Sequence, residues 1–219
     1  MKLHGHFISL TTLQVMSIFA EKNSASPEFV PVDVFAGEQK ETKHRKLHPF
    51  GHIPVLEDGD FQLYETHAIL RYLNVRLAGP SFDITDAKER ARMDQWLCIE
   101  QNYLVPAAKK IMARGYAEMM KLPDPGPGVV DEGRRELNLA LEQFAAAIDG
   151  RRYVAGDAFS LADICWRVDL LKMATGPEAH WLDDRRISPW WKRVCDRPAW
   201  ERAQADLAAY APKQGPSAG

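Results

Sequence analysis

Three polar side chains stand where a strand gives way to a helix: Ser9, after the apolar pair Phe7-Ile8, and Glu65 with Thr66, after Leu63-Tyr64. A helix start presents unpaired backbone N–H groups and the positive end of the helix dipole, so each junction suits an anion. At Glu65 and Thr66 the fitting anion is a carboxylate. Beside Ser9 it is a thiolate, because a thiol there would gain a hydrogen bond from the hydroxyl and the favourable field of the helix. Lowering a thiol pKa by two units takes only about 2.7 kcal/mol of differential interaction. The competing role for Ser9 is a plain helix cap, with Thr11 and Thr12 as substitute hydroxyls.

The elements that must hold these residues follow from pattern and punctuation. Residues 1–8 read as a strand, and Val15, Ile18 and Phe19 fall at helical spacing between about Thr11 and Lys22. Val30, Val32 and Val34 alternate within a second strand, Phe29 to Phe35, and the charged stretch from Gly37 to His48 reads as loop with an irregular helix. His48-Pro49-Phe50-Gly51-His52-Ile53-Pro54 is a closed loop before a strand around Val55. Asp58-Gly59 then turns the chain into a second strand, Phe61 to Tyr64. A helix from Thr66 to Leu77 should bury Ile69, Tyr72, Leu73 and Leu77. The order βαβ then ββα predicts a small α/β sandwich over 1–79.

After a linker at 80–85, everything reads as helix: one from near Asp86 to near Lys121, and another from Asp131 to Asp149 beyond the Pro/Gly-rich stretch 122–128. A third opens at Ser160-Leu161-Ala162-Asp163, with Ser160 as cap and Asp163 closing a capping box. Two short helices follow, the last opened by Pro198. The helical domain is thus placed at 86–211 and a disordered tail at 212–219.

The chain has 219 residues, 46% of them hydrophobic, which is enough for two small cores. A net charge of −2 with both signs interspersed argues against a nucleic-acid binder. Cys98, Cys165 and Cys195 are odd in number and widely spaced, so disulfides and a zinc site are not expected, and a reducing cytosol is. The seven histidines show no metal-ligand spacing, so no metal is expected. No long apolar run marks a signal peptide or a membrane span, and the expectation is a soluble cytoplasmic protein without membrane partners. Each cysteine lies in an amphipathic helix as a small packing residue. Trp181, Trp190, Trp191 and Trp200 read as packing in the helical domain.

The same residues carry a resemblance. Gly5-His6-Phe7-Ile8-Ser9 resembles the Gly-His-Pro-x-Ser opening of the phi-type and related bacterial, serine-type (phi/theta-like) cytosolic glutathione S-transferases. Gly37-Glu38-Gln39-Lys40 resembles their Gly-Glu-His-Lys. Pro49-Phe50-Gly51-His52-Ile53-Pro54 is similar to Pro-Phe-Gly-Gln-Val-Pro, and Glu65-Thr66-His67-Ala68-Ile69 to Glu-Ser-Arg-Ala-Ile. Ser160 to Asp163 matches the Ser-Leu-Ala-Asp of the family's helical domain. The resemblance runs from about Met1 to Tyr210.

It implies a thioredoxin-like glutathione-binding domain followed by an all-helical domain, in a homodimer with Phe50 facing the other subunit. Ser9 would activate the glutathione thiol. Gln39 and Lys40 would approach the glycine end, and the backbone at Ile53, between His52 and a cis Pro54, would pair with the cysteinyl part. Glu65 would meet the ammonium and Thr66 the carboxylate of the γ-glutamyl group. A small hydrophobic electrophile would bind near Ile8, Phe35, Met112 and Tyr116. Transfer of the thiolate to carbon, with peroxide reduction beside it, is the implied activity; the alternative is a non-catalytic ligand carrier or stress-regulatory protein of the same fold. The departures are Phe7 for proline, Leu13-Gln14 for an arginine pair, Gln39 for His and His52 for Gln.

Overall fold

The structure, a computed structural model, describes residues 1–211; the tail expected at 212–219 lies outside the described residues. Contacts divide the described residues into two units, Met1–Pro80 together with 198–211, and Ser81–Arg197.

In the first unit, β1 (Lys2–Gly5), α1 (Leu10–Glu21) and β2 (Glu28–Pro31) form the βαβ half. A short 3₁₀ turn (Glu38–Lys40) and α2 (Thr42–Arg45) lead to β3 (Val55–Asp58), β4 (Phe61–Tyr64) and α3 (Thr66–Arg76). The sheet order is β2-β1-β3-β4, with β1 parallel to β2 and antiparallel to β3, and β3 antiparallel to β4. This is the expected thioredoxin-like arrangement. Leu3, Val55 and Leu56 from the sheet, Val15 and Ile18 from α1, and Ile69 and Leu73 from α3 are all fully buried. Their burial is the hydrophobic gain that fixes which faces meet. Gly5 lies where α1 comes closest to β1: a Cβ there would stand 2.7 Å from Thr12 Oγ1, so β1 and α1 meet at a hydrogen side chain.

Three details depart from the sequence expectation. The second strand ends at Pro31 and not at Phe35, because the Asp33 carboxylate accepts from the N–H groups of Phe35 and Ala36 and turns the chain. On α3 the buried set is Ile69, Leu70, Leu73 and Asn74; Tyr72 is only half-buried and donates to Asp58 Oδ2 at 2.7 Å. The last helix, α9 (Pro198–Ala208), packs on α1 and belongs to the first unit, and with it Trp200. Ser26 Oγ donates to Asp206 and Arg202 to the Ser24 carbonyl along that contact.

The second unit is helical throughout. The expected long helix runs as α4 (Ala87–Ile99), a π-helical turn (Glu100–Leu104) and α5 (Val105–Met119). Pro106 has no N–H to give the carbonyl four residues back, and the ladder shifts to the wider register ahead of it. After α6 (Pro127–Ile148), α7 (Leu161–Leu171) opens with the predicted capping box. Asp163 accepts from Ser160 N and Oγ at 2.9 and 2.8 Å, from Val154 N at 3.0 Å and from Trp190 Nε1 at 2.8 Å. Complete burial pushes its carboxyl pKa up, and these donors oppose the shift. The core gathers Trp96, Phe144, Trp166 and Trp190, with Phe144 stacked on Trp166 at 4.3 Å. α8 (Ser188–Cys195) completes the unit. Cys165 is buried and Cys195 half-buried, but Cys98 is exposed and is not a packing residue.

Candidate functional site

Ser9 is the N-cap of α1, with extended backbone angles, and its Oγ accepts from Thr12 N at 3.2 Å. The capping role weighed for it is therefore real. The hydroxyl proton is a separate resource, since the cap uses only an oxygen lone pair. Ser9 Oγ lies 2.9 Å from Thr11 Oγ1, and Thr11 Oγ1 donates to the Ile53 carbonyl at 3.3 Å. Thus the start of α1 is tied directly to the backbone before Pro54, and the Ile53–Pro54 peptide bond is cis. Thr12 cannot share this work: its side chain is fully buried against Gly5, and its hydroxyl accepts from His6 N at 3.4 Å. Leu13 and Gln14, which stand where the resemblance expects an arginine pair, are buried.

The loop segments close on one another. Lys40 Nζ donates to the Phe50 carbonyl at 3.3 Å, and Gln39 Nε2 to the Val34 carbonyl at 3.3 Å. Gly51 adopts φ +64, and a Cβ there would meet the Gln39 carbonyl at 2.6 Å, so both the turn and the close approach require glycine. His44 Nε2 lies 2.7 Å from the carbonyl of the exposed His52, linking α2 to the same loop.

At the other junction Glu65 caps α3 with φ 71, a left-handed value that costs a non-glycine residue roughly 1–3 kcal/mol. Its side chain makes no capping bond and is exposed, while Thr66 follows as the first helical residue. With no cap bond from Glu65, the start of α3 keeps the field that suits an incoming anionic acceptor. Behind Glu65 stands His48, a residue the sequence analysis did not single out. It is buried, its Nε2 lies 3.9 Å from Glu65 Oε1, and its ring packs on Tyr64 at 4.6 Å. Burial, chiefly, lowers its pKa, with Glu65 pulling the other way. Its place in the Pro/Gly loop was the only signal available.

Ile8 and Phe35 are exposed in the first unit, and Phe35 meets the His6 ring edge-on at 5.2 Å. Met112 and Tyr116 lie on α5 in the second unit, the former half-buried and the latter exposed. A cleft of about 960 Å³ between the α4–α5 rod and α6 is lined by Trp96, Ile99, Tyr103 and Leu139, and includes none of these four.

Fold and site together define a thioredoxin-like unit that sets the Ser9 hydroxyl at one helix start and Glu65 and Thr66 at another, joined to a helical unit. The family model for the glutathione S-transferase N-terminal domain matches residues 1–75, and that for the glutathione S-transferase C-terminal domain matches 109–198. Glutathione S-transferase F10 of Arabidopsis thaliana is 33% identical over 190 residues, covering 84% of this chain and 87% of that protein. The crystal structure of glutathione transferase F7 from Populus trichocarpa is similar with a TM-score of 0.84 at 28% identity, over 94% of this chain and 98% of the other. Maize glutathione S-transferase I, solved with an atrazine glutathione conjugate, gives 0.83 at 28% identity, over 96% and 98%. The chain belongs to the glutathione S-transferase family.

Proposed function

We propose that this chain conjugates glutathione to small hydrophobic electrophiles, with the thiolate formed beside Ser9 in a serine-type, phi/theta-like site of the kind its sequence blocks share with bacterial members. The observation that carries the proposal is the Ser9–Thr11–Ile53 connection, which sets a hydroxyl at a helix start next to backbone that can pair with an extended peptide. Glutathione lies with its cysteinyl part along Ile53 and Pro54, where the backbone acts as a strand edge. Gln39, Lys40 and His52 border its glycine end. Glu65 takes the γ-glutamyl ammonium, and Thr66 with the first N–H groups of α3 takes the carboxylate.

The thiol proton leaves to solvent. The thiolate, held by the Ser9 hydroxyl and the α1 N-terminus, then attacks an electrophilic carbon: the S–C bond forms, and a leaving group departs with its electron pair. Ile8 and Phe35 offer the electrophile an apolar surface in the first unit. No metal has a part in these steps. We also read the working protein as a cytoplasmic homodimer without nucleic-acid or membrane partners. Support comes from family membership, the 65% exposure of Phe50, three free cysteines, and the fact that no helix among the described residues is long and apolar enough to cross a membrane.

Steady-state turnover of an activated aryl halide with glutathione, together with calorimetry, tests this. Saturable glutathione binding and glutathione-dependent product are expected. Folded protein that binds the tripeptide without turning over the halide or any of a panel of electrophiles would favour the non-catalytic carrier, and no saturable heat up to several millimolar would remove the glutathione site altogether.

A further inference from the structure

We infer that Thr11 is a positioning residue whose hydroxyl couples the docking of the peptide substrate at Ile53 to the release of the Ser9 proton toward the sulfur. The inference rests on the proposed placement of glutathione. Two hydroxyls share two protons here, and their contacts fix where those protons go. Thr11 Oγ1 donates to the Ile53 carbonyl at 3.3 Å, so the 2.9 Å contact between Ser9 and Thr11 uses the Ser9 proton as donor and Thr11 Oγ1 as acceptor. Ser9 Oγ meanwhile accepts from Thr12 N at 3.2 Å. In this arrangement the Ser9 proton is spent on Thr11 and is not aimed at a ligand.

An extended peptide pairing at Ile53 brings an N–H to the Ile53 carbonyl and competes with Thr11 for it. Displaced, the Thr11 hydroxyl rotates to donate to Ser9 Oγ across the same 2.9 Å. Ser9 then accepts from both Thr12 N–H and Thr11 O–H, and its own proton turns to the sulfur. No bond to hydrogen is broken; two O–H groups rotate about their C–O bonds. A hydroxyl that accepts two hydrogen bonds is a stronger donor than one that accepts a single bond, because successive bonds polarise one another. A stronger donor holds a thiolate more tightly. Thr11 and Ser9 are both half-buried, so the pair is screened less than a surface contact yet open to a ligand. Thr12, locked under Gly5, cannot take over.

The test is an ultraviolet pH titration of bound glutathione on Thr11→Val, Thr11→Ser, Ser9→Ala and the double variant Ser9→Ala with Thr11→Val. Valine keeps the branched shape and removes the hydroxyl; serine restores the hydroxyl and removes the methyl. Thr11→Val should raise the bound thiol pKa by about 0.5–1, lowering the thiolate-to-thiol ratio at a given pH roughly three- to ten-fold, with glutathione affinity within two- to three-fold. Thr11→Ser should keep the parent value, and Thr11→Val should add nothing on Ser9→Ala. A side chain that only braces α1 would shift melting temperature or affinity and leave the thiol pKa in place. If Ser9→Ala raises the pKa while Thr11→Val does not, or if the two effects simply add, the coupling is overturned and the Ser9 assignment survives. If Ser9→Ala itself has no effect, both fall.

Discussion

Ser9 carries two duties on separate parts of one hydroxyl: an oxygen lone pair for the Thr12 N–H and a proton for whatever lies beyond. Removing the group should therefore show two separable losses. Ser9→Ala should lower turnover ten-fold or more, since a charge-assisted hydrogen bond contributes roughly 1.5–3 kcal/mol at the reacting sulfur. The cap lost with it should cost about 1 kcal/mol of stability, read as a few degrees of melting temperature. Glutathione affinity should stay within a few-fold, because the rest of the tripeptide is held elsewhere; steady-state kinetics beside calorimetry checks this, and an unchanged kcat would leave Ser9 as a cap alone. Ser9 could be named from sequence because it follows an apolar strand and opens a helix. Its link through Thr11 to the Ile53 carbonyl could not, because it joins positions 42 apart in the chain through the packing of α1 on the sheet.

In the proposed function, helix starts and loop closures set where the groups of glutathione sit. At α3 the sequence marked Glu65 and Thr66, and the structure adds what the pattern could not: a left-handed Glu65, and His48 buried behind it. Neither feature has a periodic signature, since backbone sign and burial behind a loop are tertiary outcomes. Thr66→Ala should weaken glutathione binding several-fold before it lowers kcat, the reverse of the Ser9→Ala pattern; equal effects on kcat and affinity would contradict the division of labour. The second strand was overextended in sequence because Val32 and Val34 continue an alternation that Asp33 interrupts by capping Phe35 and Ala36. The α4–α5 rod was legible as one helix, and its π-helical turn was not, although Pro106 was there to suggest it.

Burial lowers the pKa of both His6 and His48, so each is harder to protonate in the folded chain than in the unfolded one. The linkage sign follows: their contribution to stability is complete above the unfolded histidine value, about 6.5, and is lost as pH falls through that value toward the lower folded pKa. Denaturant midpoints should decline between pH 7.5 and 5, and His48→Asn should flatten the decline; a midpoint constant over that range would contradict it.

For the molecule as a whole, stability is anchored in the second unit by Asp163 and its four donors. Asp163→Ala leaves the Trp190 and Val154 donors buried without an acceptor, and should destabilise by roughly 2–4 kcal/mol, seen as a lower unfolding midpoint in that unit. The Ser160–Asp163 box was plain in sequence because its spacing is local. The position of α9 against α1 was not, since a helix pattern states which face is apolar and not which partner it meets. The homodimer expected from family membership should give light-scattering masses near twice the 24.8 kDa chain; a single-chain mass at micromolar concentration would contradict it.

Formation of a glutathione thiolate at Ser9 is read by an ultraviolet difference titration of bound glutathione on the parent protein and on Ser9→Ala. The bound thiol should ionise at least about one pH unit below the ordinary thiol value near 8.5, with most of that shift lost in Ser9→Ala. A bound thiol on the parent protein that titrates like the free one would contradict it.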